Sequence, residues 1–127
     1  MEAESETEHL SIELRRGMIT LAVLIQLRSE NHGYGVKQAL SQLGMSLKEG
    51  TLYPMLRRLE AQGALKSRWD TKGDRMRKYY SLSEQGVVML NAMQKQRALL
   101  VQIIEELEKS AFDELVRERT QTQSELE

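Results

Sequence analysis

A mostly α-helical fold with one small β-hairpin is predicted by three features of the sequence. Leu52, Met55, Leu56 and Leu59 recur at the three-and-four spacing that lines one side of an α-helix, in a stretch that ends at Gly63. The period then drops to two. Leu65, Ser67 and Trp69 alternate with Lys66, Arg68 and Asp70, and a turn at Thr71–Asp74 precedes a second stretch, Arg75 to Leu82. From Ser83 onward the helical spacing returns and holds through Leu90, Met93, Leu100, Ile104, Leu107 and Ala111. Helices, a basic hairpin and a long final helix, in that order, make a winged helix-turn-helix plus a long C-terminal dimerisation helix.

The elements follow in chain order. Residues 1–9 alternate Glu with small or polar residues and are expected to form a disordered acidic tail. A first helix is expected from Leu10 to Ser29, with Leu10, Leu14, Met18, Leu21, Leu24, Ile25 and Leu27 on its apolar face and Gly33 as its stop. Tyr34 to Leu43 makes a short second helix with Val36, Leu40 and Leu43 buried, ended by Gly44. A Gly-containing turn of this length between two helices matches a helix-turn-helix.

Ser46 and Glu49 have the spacing of a capping box at the start of the third helix. Pro54 leaves that start open. If the helix begins at Leu47, Pro54 removes the bond to Gly50 and forces a kink; if Thr51 is the cap, Pro54 lies in the first turn and is tolerated. The polar side of this helix carries Lys48, Thr51, Tyr53, Arg57, Arg58 and Gln62. The domain plan is therefore winged helix-turn-helix at 10–82, dimerisation helix at 83–119 with Ser83 as its cap, and a frayed tail at 120–127.

Composition narrows the function. At 127 residues with 40% hydrophobic and 29% charged residues the chain is an ordinary globular protein of about one domain. With no cysteine there are no disulfides, thiolate metal sites or cysteine nucleophiles. No apolar run is long enough to span a membrane, and the acidic N-terminal stretch is the opposite of a secretory signal, so a cytoplasmic location is expected. The formal net charge of -1 hides a division: residues 1–14 sum to -5, residues 15–82 to +8 and residues 83–127 to -4. A basic middle between acidic flanks is the footprint of a surface that meets phosphates. His9 and His32 lack metal-ligand spacing, and no paired carboxylates, phosphate-cradling loop or nucleophile–base pair is present, so neither a metal, a cofactor nor an enzymatic activity is expected.

The motifs His-Gly-Tyr-Gly at 32–35, Glu-Gly-Thr-Leu-Tyr-Pro-Met-Leu-Arg-Arg-Leu-Glu at 49–60, Gly-Ala-Leu at 63–65 and Arg-Lys-Tyr-Tyr-Ser-Leu-Ser-Glu-Gln-Gly at 77–86 resemble the PadR family of bacterial transcriptional regulators. The resemblance covers roughly Leu14 to Lys109, and the short C-terminal part is similar to the small subgroup with a single dimerisation helix. It implies a homodimeric repressor on a palindromic double-stranded DNA operator, often controlling its own gene or a neighbouring transporter or detoxification gene. It places Thr51, Tyr53, Pro54 and Arg57 at the DNA end of the recognition helix, Tyr34 at the start of the preceding helix, and Lys72, Arg75 and Lys78 on the wing. Lys48 joins them from its place on the polar side of the helix.

The resemblance also implies a small hydrophobic effector. In some small members drugs stack on a tryptophan between the C-terminal helices. This chain departs from that pattern, because its last helix has no aromatic residue before Phe112. Trp69 lies on the wing instead and is expected to pack into the core. Of the adjacent arginines, Arg57 is assigned to DNA, while Arg58 is open to DNA contact or to a salt bridge. The dimer seam is assigned to Leu90, Met93, Leu100, Ile104 and Leu107. The alternative to DNA binding is a winged-helix module that binds protein.

Overall fold

The computed structural model describes residues 2–126, as four helices and three short strands: α1 (Glu2–Gln26), β1 (Asn31–His32), α2 (Gly33–Gln42), α3 (Glu49–Ala61), β2 (Leu65–Asp70), β3 (Arg77–Leu82) and α4 (Glu84–Leu126). The chain divides into two compact units, one ending at Ala92 and one beginning at Met93. The first turns of α4 thus belong to the first unit rather than to a separate dimerisation segment.

The hydrophobic core of the first unit is built from the positions that the three-four spacing selects. Leu24 from the end of α1, Leu27 just after it, Val36 from α2, Leu52 and Leu56 from α3, and Leu90 from α4 are fully buried. Burying side chains of this size stabilises a domain by about 1.5–3 kcal/mol each before entropy is counted. Leu90, expected in the dimer seam, therefore belongs to the chain's own core. Leu10, Leu14 and Met18, expected on the buried face of the first helix, are exposed instead. No other element of the unit reaches that far along α1.

Residues 2–9 are helical, contrary to the expected tail, and so are residues 120–126; residues 1 and 127 lie outside the described residues. Glu2 and Glu4 stand in the first turn of α1, where negative charge complements the helix dipole. Near the other end of the chain Thr120 and Thr122 bond back to the carbonyls of Val116 and Glu118, at 2.9 Å each.

The sheet has the order β1-β3-β2 and is antiparallel throughout. The hairpin was expected, although β3 begins at Arg77 rather than Arg75; β1 was not expected. It pairs Asn31 with Tyr80 and His32 with Tyr79, and a strand of two residues leaves no periodicity to read. Two junctions behave as the glycines suggested, whereas Gly33, expected to stop the first helix, is instead the first residue of α2 and α1 ends at Gln26. Gly44 after α2 and Gly63 after α3 have φ of +97° and +85°, the left-handed conformation that closes a helix. Ser83 caps α4: its Oγ accepts from the Gly86 N–H at 2.9 Å and donates to the Gly63 carbonyl at 2.5 Å.

At Gly86 an added Cβ would run into the Ala64 carbonyl oxygen, whereas at Gly17, inside α1, it would meet nothing within 4 Å. Gly86→Ala is expected to destabilise the protein by about 1–3 kcal/mol. Gly17→Ala should leave stability unchanged or raise it by up to ~1 kcal/mol. Urea denaturation of the two variants beside the parent checks both signs.

Candidate nucleic-acid interface

The interface is built at the junction of α2, α3 and the hairpin. It begins with the motif His-Gly-Tyr-Gly, in which each residue has a separate task. His32 is extended and caps α2, its Nδ1 accepting from the Gly35 N–H at 3.0 Å. The Asn31 carboxamide accepts from the His32 N–H at 2.9 Å. A Cβ on Gly33 would strike the Tyr53 ring, and one on Gly35 would strike the Asn31 side chain. The two glycines therefore let the start of α2 settle directly onto α3 and β1. Between them Tyr34 points outward, 52% exposed, its hydroxyl accepting from Gln38 at 3.0 Å.

The third helix starts at neither of the expected places. Its cap is Lys48, with extended backbone and no side-chain cap bond, and Glu49 is the first helical residue. The Ser46–Glu49 capping box does not form. Leu47 is buried, which holds Ser46 too far back to cap, and Glu49 instead reaches Lys37 of α2 at 3.7 Å. Pro54 lies past the first turn, so the missing N–H leaves the Gly50 carbonyl without its helical donor.

At 100° per residue Gly50, Pro54, Arg57 and Ala61 share the side opposite the buried Leu52, Leu56 and Leu59. Three low-profile residues around one arginine let this side approach a partner closely. Thr51 and Arg58 flank it on one edge and Tyr53 on the other, half-buried. Burial, then Glu49 and Tyr80, push the Tyr53 phenol above its ordinary value of 10.0, so it remains a hydrogen-bond donor.

On the hairpin the residues between β2 and β3 are exposed and include Lys72 and Arg75. The Asp70 carboxylate accepts from the Lys72 N–H at 2.9 Å and sets the first bend. Among the described residues Lys48, Arg57, Arg58, Lys72, Arg75 and Arg77 form no ion pair with a carboxylate. Arg58, for which a salt bridge was one expectation, is exposed without one.

Lys78, expected on the wing, has partners within the chain. Its ammonium lies 3.0 Å from Glu60 on α3, and over the rings of Tyr80 and Trp69 at 5.2 and 5.9 Å. The Ser67 hydroxyl also donates to Glu60. These two bonds, the serine's first, hold the Glu60 carboxyl below its ordinary value. Arg68 is similarly engaged, with a two-pronged contact to Glu30 at 2.9 and 2.5 Å. Trp69 was expected in the core but is 58% exposed. Leu65, at the base of the same strand, is buried, so the alternation is correct and the strand simply runs past the core.

Helix-turn-helix and wing, joined through β1, define a winged helix-turn-helix protein. Within that class the chain belongs to the transcriptional regulator PadR-like family, whose model matches residues 20–92; the family is one of regulators and not of enzymes. The chain is 34% identical over 107 residues to Transcriptional regulator Rv3488 of Mycobacterium tuberculosis, covering 84% of this chain and 86% of that protein. The crystal structure of a PadR family transcriptional regulator from Eggerthella lenta matches with a TM-score of 0.77 and 36% identity, over 84% of this chain and 96% of that one. The structure of Bacillus subtilis PadR in complex with operator DNA matches at 0.55 and 29% identity, over 59% of this chain and 44% of that one. No helix among the described residues is long and apolar enough to cross a membrane.

A further role missed from the sequence belongs to His32. With Nδ1 accepting from Gly35, the proton of the neutral His32 ring sits on Nε2, 3.2 Å from the Arg77 guanidinium. Burial first and Arg77 second lower its pKa from the ordinary 6.5. The unfolded chain therefore takes up the proton before the folded one does. Stability conferred by His32 is present above 6.5 and is lost as the pH falls from there through the depressed value. His32→Asn keeps a capping acceptor without the titration. Its melting temperature should fall less than the parent's between a pH above and a pH below 6.5; equal falls would show that His32 does not carry the effect.

Proposed function

We propose that the chain is a sequence-specific repressor that binds a palindromic operator as a homodimer in the cytoplasm. The observation that carries this reading is a set of exposed cations that have no carboxylate partner among the described residues: Lys48 at the cap of α3, Arg57 and Arg58 on it, and Lys72 and Arg75 on the hairpin. On this reading α3 enters the major groove, with Arg57 reading bases, Thr51 and Tyr53 donating at the helix tip, and Pro54 allowing close approach. Tyr34 and Lys48 contact the flanking backbone, and Lys72 and Arg75 contact it from the wing. The Bacillus subtilis relative crystallised with operator DNA supports this.

The homodimer is supported by an apolar face that nothing among the described residues covers. Leu100, Ile104 and Leu107 of α4 are 54%, 53% and 65% exposed, and the half-buried Met93 leads into the same stripe. A second copy is the partner that a repeating helical seam fits. Two recognition helices held in this way would enter successive major grooves ~34 Å apart. A small hydrophobic effector that changed their separation would relieve repression.

Selection of bound duplex from a random pool, followed by mobility shifts across a salt series, tests the reading. Operator binding should weaken steeply with salt; no binding, or binding indifferent to salt, would leave a protein-interaction module. Arg57→Ala should weaken operator binding by about 1–3 kcal/mol while the dimer persists. Parent-like affinity in that variant would remove Arg57 from the interface. Leu100→Asp and Ile104→Asp, both at exposed positions of the single chain, should yield folded monomers in sedimentation. A dimer in either variant would place the seam elsewhere.

A further inference from the structure

Between the start of α2, the Tyr53 edge of α3 and the hairpin lies an open cleft of about 620 Å³. Its apolar wall includes Trp69 and Met76, which are 58% and 65% exposed. Its cations are Arg75, Arg77 and Lys78, and none of its lining residues is an acid. Exposing an indole and a thioether in one cleft points to a partner surface. The indole is also held in place. Trp69 stands opposite Lys78 in the strand register, and the Lys78 ammonium is fixed between the Trp69 ring, at 5.9 Å, and Glu60, at 3.0 Å. A side chain ordered in advance loses little freedom on binding.

We infer that Trp69 and Met76 form an apolar contact with the DNA strand that passes between recognition helix and wing, pressing on sugar rings and base edges while Arg75 and Arg77 meet the adjoining phosphates. This rests on the DNA-binding reading above and assigns to it two residues that are not cations. The occupant follows from charge and polarity together. A deoxyribose–phosphate strand presents apolar faces beside anions, matching an apolar wall rimmed by arginines with no carboxylate among them. Contacts of this kind read the shape and deformability of DNA rather than its hydrogen-bonding edges. Operator positions lying under the wing would then show sequence preference without a polar base contact.

Trp69 is the only tryptophan, so the protein's emission reports this site directly. Titrating the unmodified protein with duplex recovered from the random pool should quench that emission in step with the mobility shift. Trp69→Ser and Met76→Ser should each weaken binding on the order of tenfold. The slope of log affinity against log salt should match the parent's in both, because an apolar contact releases no counterion. Arg75→Ala, in contrast, should lower that slope by about one. Emission that ignores a saturating duplex, or parent-like affinity in both serine variants, overturns the inference and leaves DNA binding standing. A parent that binds no duplex overturns both.

Discussion

The Glu60 carboxylate ties the recognition helix to the wing. It sits in the last turn of α3, accepts from Ser67 on β2 and faces the Lys78 ammonium on β3 at 3.0 Å. The Ala64 N–H donates to the Leu59 carbonyl where the helix gives way to the hairpin, and one carboxylate holding both strands helps to set the angle between them. It also anchors the lysine beneath Trp69 and Tyr80, which orders the wing's aromatic wall. The pair is partly exposed and is a weak source of stability; its role is to fix geometry.

Glu60 also explains how the cations are divided. In the sequence Lys78 lies between Arg77 and Tyr79, in a basic run indistinguishable from the residues around Arg75. In the fold Lys78 and Arg68 pair with Glu60 and Glu30, while Lys72 and Arg75 pair with neither. A cation that already has a carboxylate partner must lose that contact before meeting phosphate, whereas an unpartnered one has only water to give up. The useful charge of the wing is thus concentrated at its loop.

Periodicity and glycine made most of this fold legible in the sequence. The leucine spacing of α3, the left-handed stops at Gly44 and Gly63, the alternation of the hairpin and the Ser83 cap all express local backbone preferences. What escaped depends on contacts between segments. β1 is too short to have a period, and its pairing with β3 is decided by residues nearly fifty positions away. Histidine is an unusual helix cap, so the Nδ1 bond of His32 had no local signature. The start of α3 was left open by the sequence, and its Ser46–Glu49 capping box does not form because buried Leu47 overrides the capping preference of Ser46. Trp69 was misplaced because alternation reports which way a side chain points and not how far the core extends. At the candidate interface the helix residues Lys48, Thr51, Tyr53, Pro54 and Arg57 were identifiable from face and motif. Lys78 was assigned there too, but its ion pair with Glu60 carried no sequence signal, and neither did the exposure of Met76.

The low profile of the outward side of α3 has a physical consequence of its own. Gly50 and Pro54 weaken the helix: glycine costs ~1 kcal/mol relative to alanine, and an interior proline ~3 kcal/mol. A helix serving only the core would place long, strong helix formers at these exposed positions. Here the buried leucines on the other side must offset the loss, and they are among the least exposed side chains in the protein. What the helix gains is an outer surface of almost bare backbone around a single arginine. Such a surface can sink into a narrow groove and bring one guanidinium to its floor without a neighbouring side chain holding it off. Gly50, whose carbonyl loses its helical donor to Pro54, stands at an exposed position, where that loss is tolerated better than in the core.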